Sequence, residues 1–589
     1  MTERPRFGPW PADGGGYEFR LWAPAASSVE VVTSQPHPMS RGEDGWYSVA
    51  VREARAGQRY NFRIDRDLDV PDPASSFQPD DVLGPSELID HDYDWKSVTW
   101  RGRPWHEAVV LELHVGTFTE QGTFRAAIER LAEVAEAGFT AIELMPVADF
   151  AGRWNWGYDG VLWFAPDSVY GRPEDLKSLI DAAHCHGLMV FLDVVYNHFG
   201  PVGNFLARYA PAFFTADRPT PWGAAIDYRV RQVRAFAVEN ALHWLDRYRF
   251  DGLRLDAVHA IVERGSPSIL ETISKDAGRL ATEQGRAIHL ILENDGNEVA
   301  LLAPLQDPPD GKYRAQWDDD FHHAWHVLLT GETSGYYRDY AKTPLLDVAR
   351  VLKSGFAYQG EPSVHRRGVR RGEPSDGLPP TAFISFLQNH DQIGNRAFGE
   401  RLDALADTNR IEAALAVMLL SPMPPMLFMG EEWGENRPFP FFCDFEGAVA
   451  DAVREGRRRE FRDMYAARDG RLPPDPLDEH TFRQAKIDWE EPSRLPRASK
   501  RRELVRALLA CRARSVTPRL VDLSSRSADI DVDGTVLRAS WRFGGGTLHC
   551  LANLGDAATA ATRPPGDIVW NANLGETVAP WSVHWTWEG

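Results

Sequence analysis

Cysteine is scarce in this chain: there are four in 589 residues, at 185, 443, 511 and 550. They stand far apart and form no close pair, which excludes a disulfide framework and a cysteine-built metal or redox centre. Reduced thiols in a cytoplasm are the reading that follows. Positive charge is also short. Lys and Arg number 65 against 85 Asp and Glu, a formal net charge of -20. Phosphate backbones and anionic lipid surfaces would be repelled, so neither nucleic acid nor a membrane is expected as a partner, whereas a neutral sugar is compatible. Long apolar runs are missing too. The opening residues, MTERPRFGPWPADGGG, carry no apolar core of a secretory signal. The most membrane-like stretch, Ala413 to Gly430, is short for a bilayer and holds Pro422, Pro424 and Pro425. It reads as a buried helix, turn and strand. Gly14-Gly15-Gly16 lacks the flanking strand and helix of a nucleotide site and reads as a turn. There is no internal repeat.

What is present is aromatic and globular: 20 Trp, 29 Phe and 16 Tyr in a chain long enough for two to four domains. Residues 1–95 show short alternating runs at 17–22, 29–32, 46–49 and 60–64, separated by turn residues, the pattern of an antiparallel β-sandwich. The acidic, proline-containing stretch from Asp69 to Asp94 reads as the linker out of it. Over 96–516 apolar strands alternate with helices. Strands are predicted at 109–113, 141–144, 188–195, 252–256, 289–292, 315–317, 383–387 and 426–429. Helical spacing joins Ile128, Leu131, Val134 and Ala135, then Leu176, Leu179, Ile180 and Ala183, then Val233 through Tyr248. Eight near-continuously apolar strands with intervening helices predict a closed (β/α)8 TIM barrel. Residues 517–589 return to short strands, a second β-sandwich. The basic runs Arg366 to Arg371 and Arg457 to Arg459 read as solvated surface.

Function in such a barrel is built at the C-terminal ends of the strands. Strand three ends Asp193-Val194-Val195-Tyr196-Asn197-His198, strand four reads Gly252-Leu253-Arg254-Leu255-Asp256, strand five ends Leu292-Glu293, and strand seven ends Gln388-Asn389-His390-Asp391. Charged groups that terminate apolar strands must be satisfied by one another or by a ligand. Arg254 and Asp256, two apart, share the inward face, and the guanidinium would keep Asp256 ionised as a nucleophile requires. Glu293 follows an apolar run, so desolvation would keep it protonated as a general acid. One ionised and one protonated carboxyl is the pairing of glycoside hydrolysis, roughly 5 Å apart in retaining enzymes. Asp391, beside His390, suits sugar hydroxyls and an oxocarbenium-like transition state. Asp193 reads equally as a buried partner of Arg254 or as a substrate contact. His198 and His390, taken singly, fit structural roles. Metal ligation by Asp193, Asn197 and His198 is the minor reading. The run Asp318-Asp319-Asp320-Phe321-His322-His323 is metal-like in composition, but adjacent histidines on a loop chelate poorly, so groove or structural roles are preferred.

With these residues in hand, the whole chain resembles the α-amylase superfamily through four ordered motifs: DVVYNH at 193, GLRLDAVH at 252, ILEN at 291 and QNHD at 388. The resemblance implies Asp256 as nucleophile, Glu293 as acid/base and Asp391 as transition-state stabiliser. It also places Arg254, His198, His390 and Tyr158 around the attacked glucose. Within the superfamily the stretches from 145, 318, 388 and 424 look like those of the malto-oligosyltrehalose trehalohydrolases. The implied reaction cuts the α-1,4 bond joining a maltooligosyl chain to a terminal trehalose. Glycogen-branching enzymes share the N-terminal sandwich and a run similar to Leu111-Glu112-Leu113-His114, but usually carry Gln where this chain has Asp159; a branching-type transglycosylase is the alternative. A glucan-binding protein that has lost catalysis is disfavoured by the intact carboxyls. Calcium-dependent relatives carry Lys-His after the nucleophile, and this chain has His259-Ala260, so no metal or other cofactor is expected. His259, with Trp154, Trp156 and the 318–323 loop including Asp319 and His323, is assigned by resemblance to the trehalose-side subsites.

Overall fold

The computed structural model describes residues 5–589 apart from 221–222, 262, 264–266, 305–306, 308, 461–471 and 572–574. At the N-terminal side the alternating runs form two antiparallel sheets. One orders Trp10–Pro11, Tyr17–Trp22, Trp46–Val51 and Ser40–Arg41. The other centres on Val29–Val32 and Arg59–Ile64. Every second side chain points inward, so Phe19, Tyr60 and Phe62 meet at ring-centroid distances of 5.0 and 6.0 Å between the sheets.

The stretch from Asp69 to Asp94 is not the linker that its prolines and acids suggest. Leu68–Val70 and Ser86–Glu87 pair with Arg59–Ile64, and Asp72, Ser75, Phe77, Gln78 and Ser86 are buried. The acids are consumed locally: Asp72 accepts from Tyr60 Oη at 2.9 Å and from the Ala74 amide at 2.8 Å. Burial pushes Asp72 up to about 6.

The barrel strands, labelled β1 to β8, are Val110–Leu113, Ala141–Leu144, Met189–Val194, Gly252–Leu255, His289–Leu292, Ala315–Trp317, Phe383–Ile384 and Met426–Phe428. All pair in parallel, in the order β7-β6-β5-β4-β3-β2-β1-β8. Each is buried on both faces, which is why the runs are almost wholly apolar. β7 is shorter than its apolar run because Pro424-Pro425, just before its neighbour β8, offers carbonyls but no N–H. The barrel therefore closes through one bridge, Ser385 to Pro425, with the Ser385 amide donating to Pro424 O at 2.9 Å and the Met426 amide to Ser385 O at 2.8 Å.

The outer helices bury most of the positions that their spacing predicts, although the first stripe is split between Phe124–Ile128 and Leu131–Ala137 and leaves Ile128 and Ala135 half-buried. Helix Pro173–Cys185 buries Leu176, Leu179, Ile180 and Ala183, and helix Arg231–Leu242 widens into a π-helical turn over His243–Arg247 that keeps Trp244 and Leu245 inside. Leu131–Ala137 stops at Gly138, whose φ of 106° and close approach to Leu509 exclude a side chain. The proline-bearing stretch folds as helix Thr408–Leu420, a turn and β8. Arg512, on helix Pro496–Ser515, donates to the carbonyls of Leu419, Ser421 and Met423 at 3.0, 2.6 and 2.9 Å, satisfying that helix end. Beyond it lies a five-stranded antiparallel sheet containing Val536–Phe543, Gly546–Asn553 and Ser582–Glu588, with a two-stranded sheet beside it. Trp585 joins it to the barrel by donating to Ala416 O at 3.2 Å.

Among the described residues no helix is long and apolar enough to cross a membrane. The four cysteines are free thiols.

Candidate active site

Arg254 organises the C-terminal mouth of the barrel. Projecting inward from β4 and 2% exposed, it donates through Nη1 to both oxygens of Asp193 at 2.8 and 2.7 Å and to Asp256 Oδ1 at 2.8 Å. Its Nη2 lies 3.1 Å from Glu293 Oε2, and the guanidinium sits 4.0 Å over the ring of Trp317 at the end of β6. One cation thus holds the ends of β3, β4 and β5 together. Asp193 is in this arrangement a buried partner of Arg254, and it also accepts from Tyr158 Oη. Burial pushes Asp193 up to about 6, with Arg254 acting against that rise.

Asp256 accepts at Oδ2 from Asn197 Nδ2 at 2.8 Å. Each oxygen of the Asp256 carboxylate thus accepts from one side-chain donor. Glu293 accepts from the Ala257 amide at 2.6 Å. Burial raises its pKa well above the usual carboxyl range, and neighbouring Asp256, Asp319 and Asp391 reinforce the rise against Arg254. Burial thus favours a proton on Glu293 beside Asp256, as a general acid requires. Asp391 faces the cleft, its Oδ1 accepting from Asn395 Nδ2 at 2.7 Å.

Tyr158 and His390 stack at 5.1 Å, forming a wall. His390 Nδ1 is paired with Glu112, and its amide donates to Glu112 Oε2 at 3.1 Å. Burial disfavours the imidazolium, but the Glu112 carboxylate outweighs it and the pKa of His390 is raised. His198 Nε2 bonds Tyr158 O at 2.9 Å. The cleft between these groups encloses about 400 Å³ and is also lined by Trp156, His259, Asp319, Asn395, Phe441 and Arg457. A larger cavity of about 750 Å³, between the N-terminal segment and the helices at 231–247 and 269–284, contains none of the three carboxyls.

The expected subsite residues separate. Exposed His259 stands on the rim and accepts from the Asp295 amide at 3.4 Å. Asp319 lines the cleft, its carboxyl pushed up to about 7 by burial and then by Asp295. Trp156 lines the cleft but is largely packed, stacked at 5.5 Å on Phe439. Trp154 is buried against Phe482 and lies outside the lining residues. Residues 318–323 are not a loop: Asp318 caps the helix Asp319–Thr330 by accepting from the Phe321 amide. That turns His322 and His323 into the interior, against Tyr337 and Tyr340, and His323 is not among the lining residues. The basic runs are not all solvated either. Arg371 is buried and pairs with Asp320 and Asp295, and Arg457 borders the cleft.

The sequence motifs do not single out Glu112, Trp317, Asn395 or Arg457 for the site, and they offer Asn197 only as a minor metal ligand. Glu112 did leave a signal, as a lone carboxylate inside the apolar run of β1. Among the described residues no group of three or more His, Cys, Asp or Glu side chains is arranged to hold a metal ion.

The family described as alpha amylase, catalytic domain, matches residues 96–211. Carbohydrate-binding module 48, the isoamylase N-terminal domain, matches 6–75, and a domain of unknown function matches 524–585. A malto-oligosyltrehalose trehalohydrolase of Deinococcus radiodurans is 41% identical over 95% of this chain and 91% of its own length. A crystal structure of a Salmonella typhimurium protein assigned as an alpha amylase superposes with a TM-score of 0.95 at 42% identity, covering 99% of this chain and all of that one. A 1,4-alpha-glucan branching enzyme of Corynebacterium jeikeium is similar only in part, 32% identical over 42% of this chain and 38% of its own length. From its barrel, its flanking domains and a relative that matches it nearly end to end, the chain belongs to the malto-oligosyltrehalose trehalohydrolase family of the α-amylase superfamily.

Proposed function

We propose that the protein is a retaining glycosidase that hydrolyses the α-1,4-glucosidic bond between the maltooligosyl chain and the terminal trehalose of maltooligosyltrehalose, releasing trehalose in the cytoplasm. The catalytic unit is 96–516, flanked by sandwiches at 1–95 and 517–589. The observation that carries the reading is Arg254 contacting both Asp256 and Glu293, at 2.8 and 3.1 Å, in a cleft bordered by Asp391.

In this reading Asp256 attacks the anomeric carbon while Glu293 gives its proton to the departing glycosidic oxygen. The C–O bond to trehalose breaks and a glycosyl ester forms on Asp256. Water then attacks the same carbon, Glu293 takes its proton back, and the ester bond to Asp256 breaks. Asp391 supports the positive charge that develops on the sugar. Tyr158, His198 and His390 surround the attacked glucose, and His259, Trp156 and Asp319 line the remainder of the groove, with His323 packed behind it.

The test is product analysis after incubation with maltooligosyltrehalose and, separately, with a maltooligosaccharide of equal length. Trehalose from the first and slow cutting of the second are expected. Equal cutting or rearrangement of the plain glucan, without trehalose, would make the protein an amylase or a branching enzyme.

A further inference from the structure

The role of Asp391 used here rests on the glycosidase reading, and not on the choice between hydrolysis and chain transfer. Asp391 rides on a helix of five residues, His390–Gly394. A single helical turn has little cooperative stability of its own, so its ends must be held from outside. At its N-terminal end Asn389 Oδ1 accepts from the amides of Asp391 and Gln392 at 2.9 and 3.4 Å. At its other end Arg457 Nη2 donates to Gly394 O at 2.7 Å, and Nη1 lies 3.3 Å from Asn395 Oδ1.

A guanidinium can only donate, so Arg457 fixes which way the Asn395 amide points. Its oxygen faces Arg457, and its nitrogen is left to donate to Asp391 Oδ1 at 2.7 Å. Arg457 is itself held in place. It comes from helix Gly447–Glu460, its side chain is 18% exposed, and its guanidinium lies 4.9 Å over the ring of Phe441. Phe441 packs at 5.2 Å on Trp156. The Trp156 ring in turn lies where a side chain at Gly394 would be, 1.9 Å from a Cβ built there. The short helix is thus clamped between Trp156 and Arg457.

We propose that Arg457 is a positioning residue for Asp391: by holding the Gly394 carbonyl and orienting the Asn395 amide, it aims the carboxylate at the attacked sugar. Without it Asn395 is free to rotate and present its oxygen to a carboxylate.

The experiment compares Arg457→Ala, Asn395→Ala, the double variant and Arg457→Lys on an α-1,4-glucan that the wild type cleaves. A second substrate, α-maltosyl fluoride, has a leaving group that needs little protonation. Loss of a charge-assisted hydrogen bond to a reacting group predicts a fall in kcat of about ten- to a hundredfold for each Ala variant, with KM within about threefold. The double variant should be no worse than about the poorer single one, because the two residues act in series. Arg457→Lys, which can keep one bond but not both, should fall between. The loss should persist on the fluoride, where Glu293→Gln is relieved, because Asp391 acts on the sugar and not on the leaving group.

Multiplying losses in the double variant would overturn the proposal. So would a raised KM with unchanged kcat, which would make Arg457 a plain substrate contact. Full activity in Asp391→Asn would instead remove the role of Asp391 on which the proposal stands.

Discussion

Replacing Glu112 by Gln tests the site's electrostatics with the least change in shape. Glu112 is 1% exposed on β1 and is paired with His390 Nδ1, itself buried at 3%. Burial disfavours a charged imidazole, yet the carboxylate holds the pKa of His390 above its usual 6.5, helped by Asp391 and opposed by Arg254. A histidine whose pKa is raised on folding adds stability that is fully present below about pH 6.5 and is lost as pH rises through the folded value. In the Glu112→Gln variant the main opposing charge disappears, burial prevails, and the imidazole sheds its proton at lower pH.

Each unit of pKa lost costs ~1.4 kcal/mol, and a buried charge-assisted bond is worth ~1.5–3 kcal/mol. The variant should therefore be about 2–3 kcal/mol less stable at pH 5.5, with the deficit shrinking at pH 8.5. Chemical unfolding at the two pH values measures this. In parallel the alkaline limb of kcat/KM against pH should move to lower pH, because His390 lies against Tyr158 and next to Asp391. A stability deficit that is the same at both pH values, together with an unshifted pH profile, would refute the assignment of a charged His390 held by Glu112.

Other perturbations follow from the same geometry. Asp256→Ala should abolish turnover while leaving the melting temperature within a few degrees, because Arg254 keeps Asp193 as a partner; residual activity above about a hundredth of wild type would remove Asp256 from the nucleophile role. Glu293→Gln should stop hydrolysis of natural glucans, and near-normal rates would move the acid elsewhere. Wild-type activity should fall as pH rises through the elevated pKa of Glu293, which shares the alkaline limb with His390, since the acid must carry its proton; a limb unchanged after conservative substitution of its neighbour Asp319 would show that another group titrates. Exhaustive EDTA treatment should leave activity unchanged, and a loss restored by calcium would overturn the reading drawn from His259-Ala260.

The sequence by itself determined the barrel and marked three candidate carboxyls, and the reason is physical. Parallel strands buried on both faces must be apolar throughout, so Asp193, Asp256, Glu293 and Asp391 stand out at or just beyond the ends of their runs. The helices around them bury stripes with a period that local spacing displays, as at Leu176, Leu179, Ile180 and Ala183. Interactions between residues far apart in the chain carry no such local mark. Glu112 meets His390 across 278 residues, and Arg457 reaches Gly394 across 63. Arg457 and Arg371 sit in basic runs that look solvated, yet the fold turns one to the cleft and buries the other on Asp320.

Asp318 shows the opposite case. A local signal was present, since an aspartate before Asp319-Asp320-Phe321 is a helix cap, but its acids and histidines resembled a loop. The stretch from Asp69 to Asp94 resembles a linker for a related reason: turn-forming prolines and acids look alike whether a segment is exposed or packed. Only tertiary contact decides whether a polar side chain is spent on water or on a distant partner, because that choice depends on what the fold places opposite it.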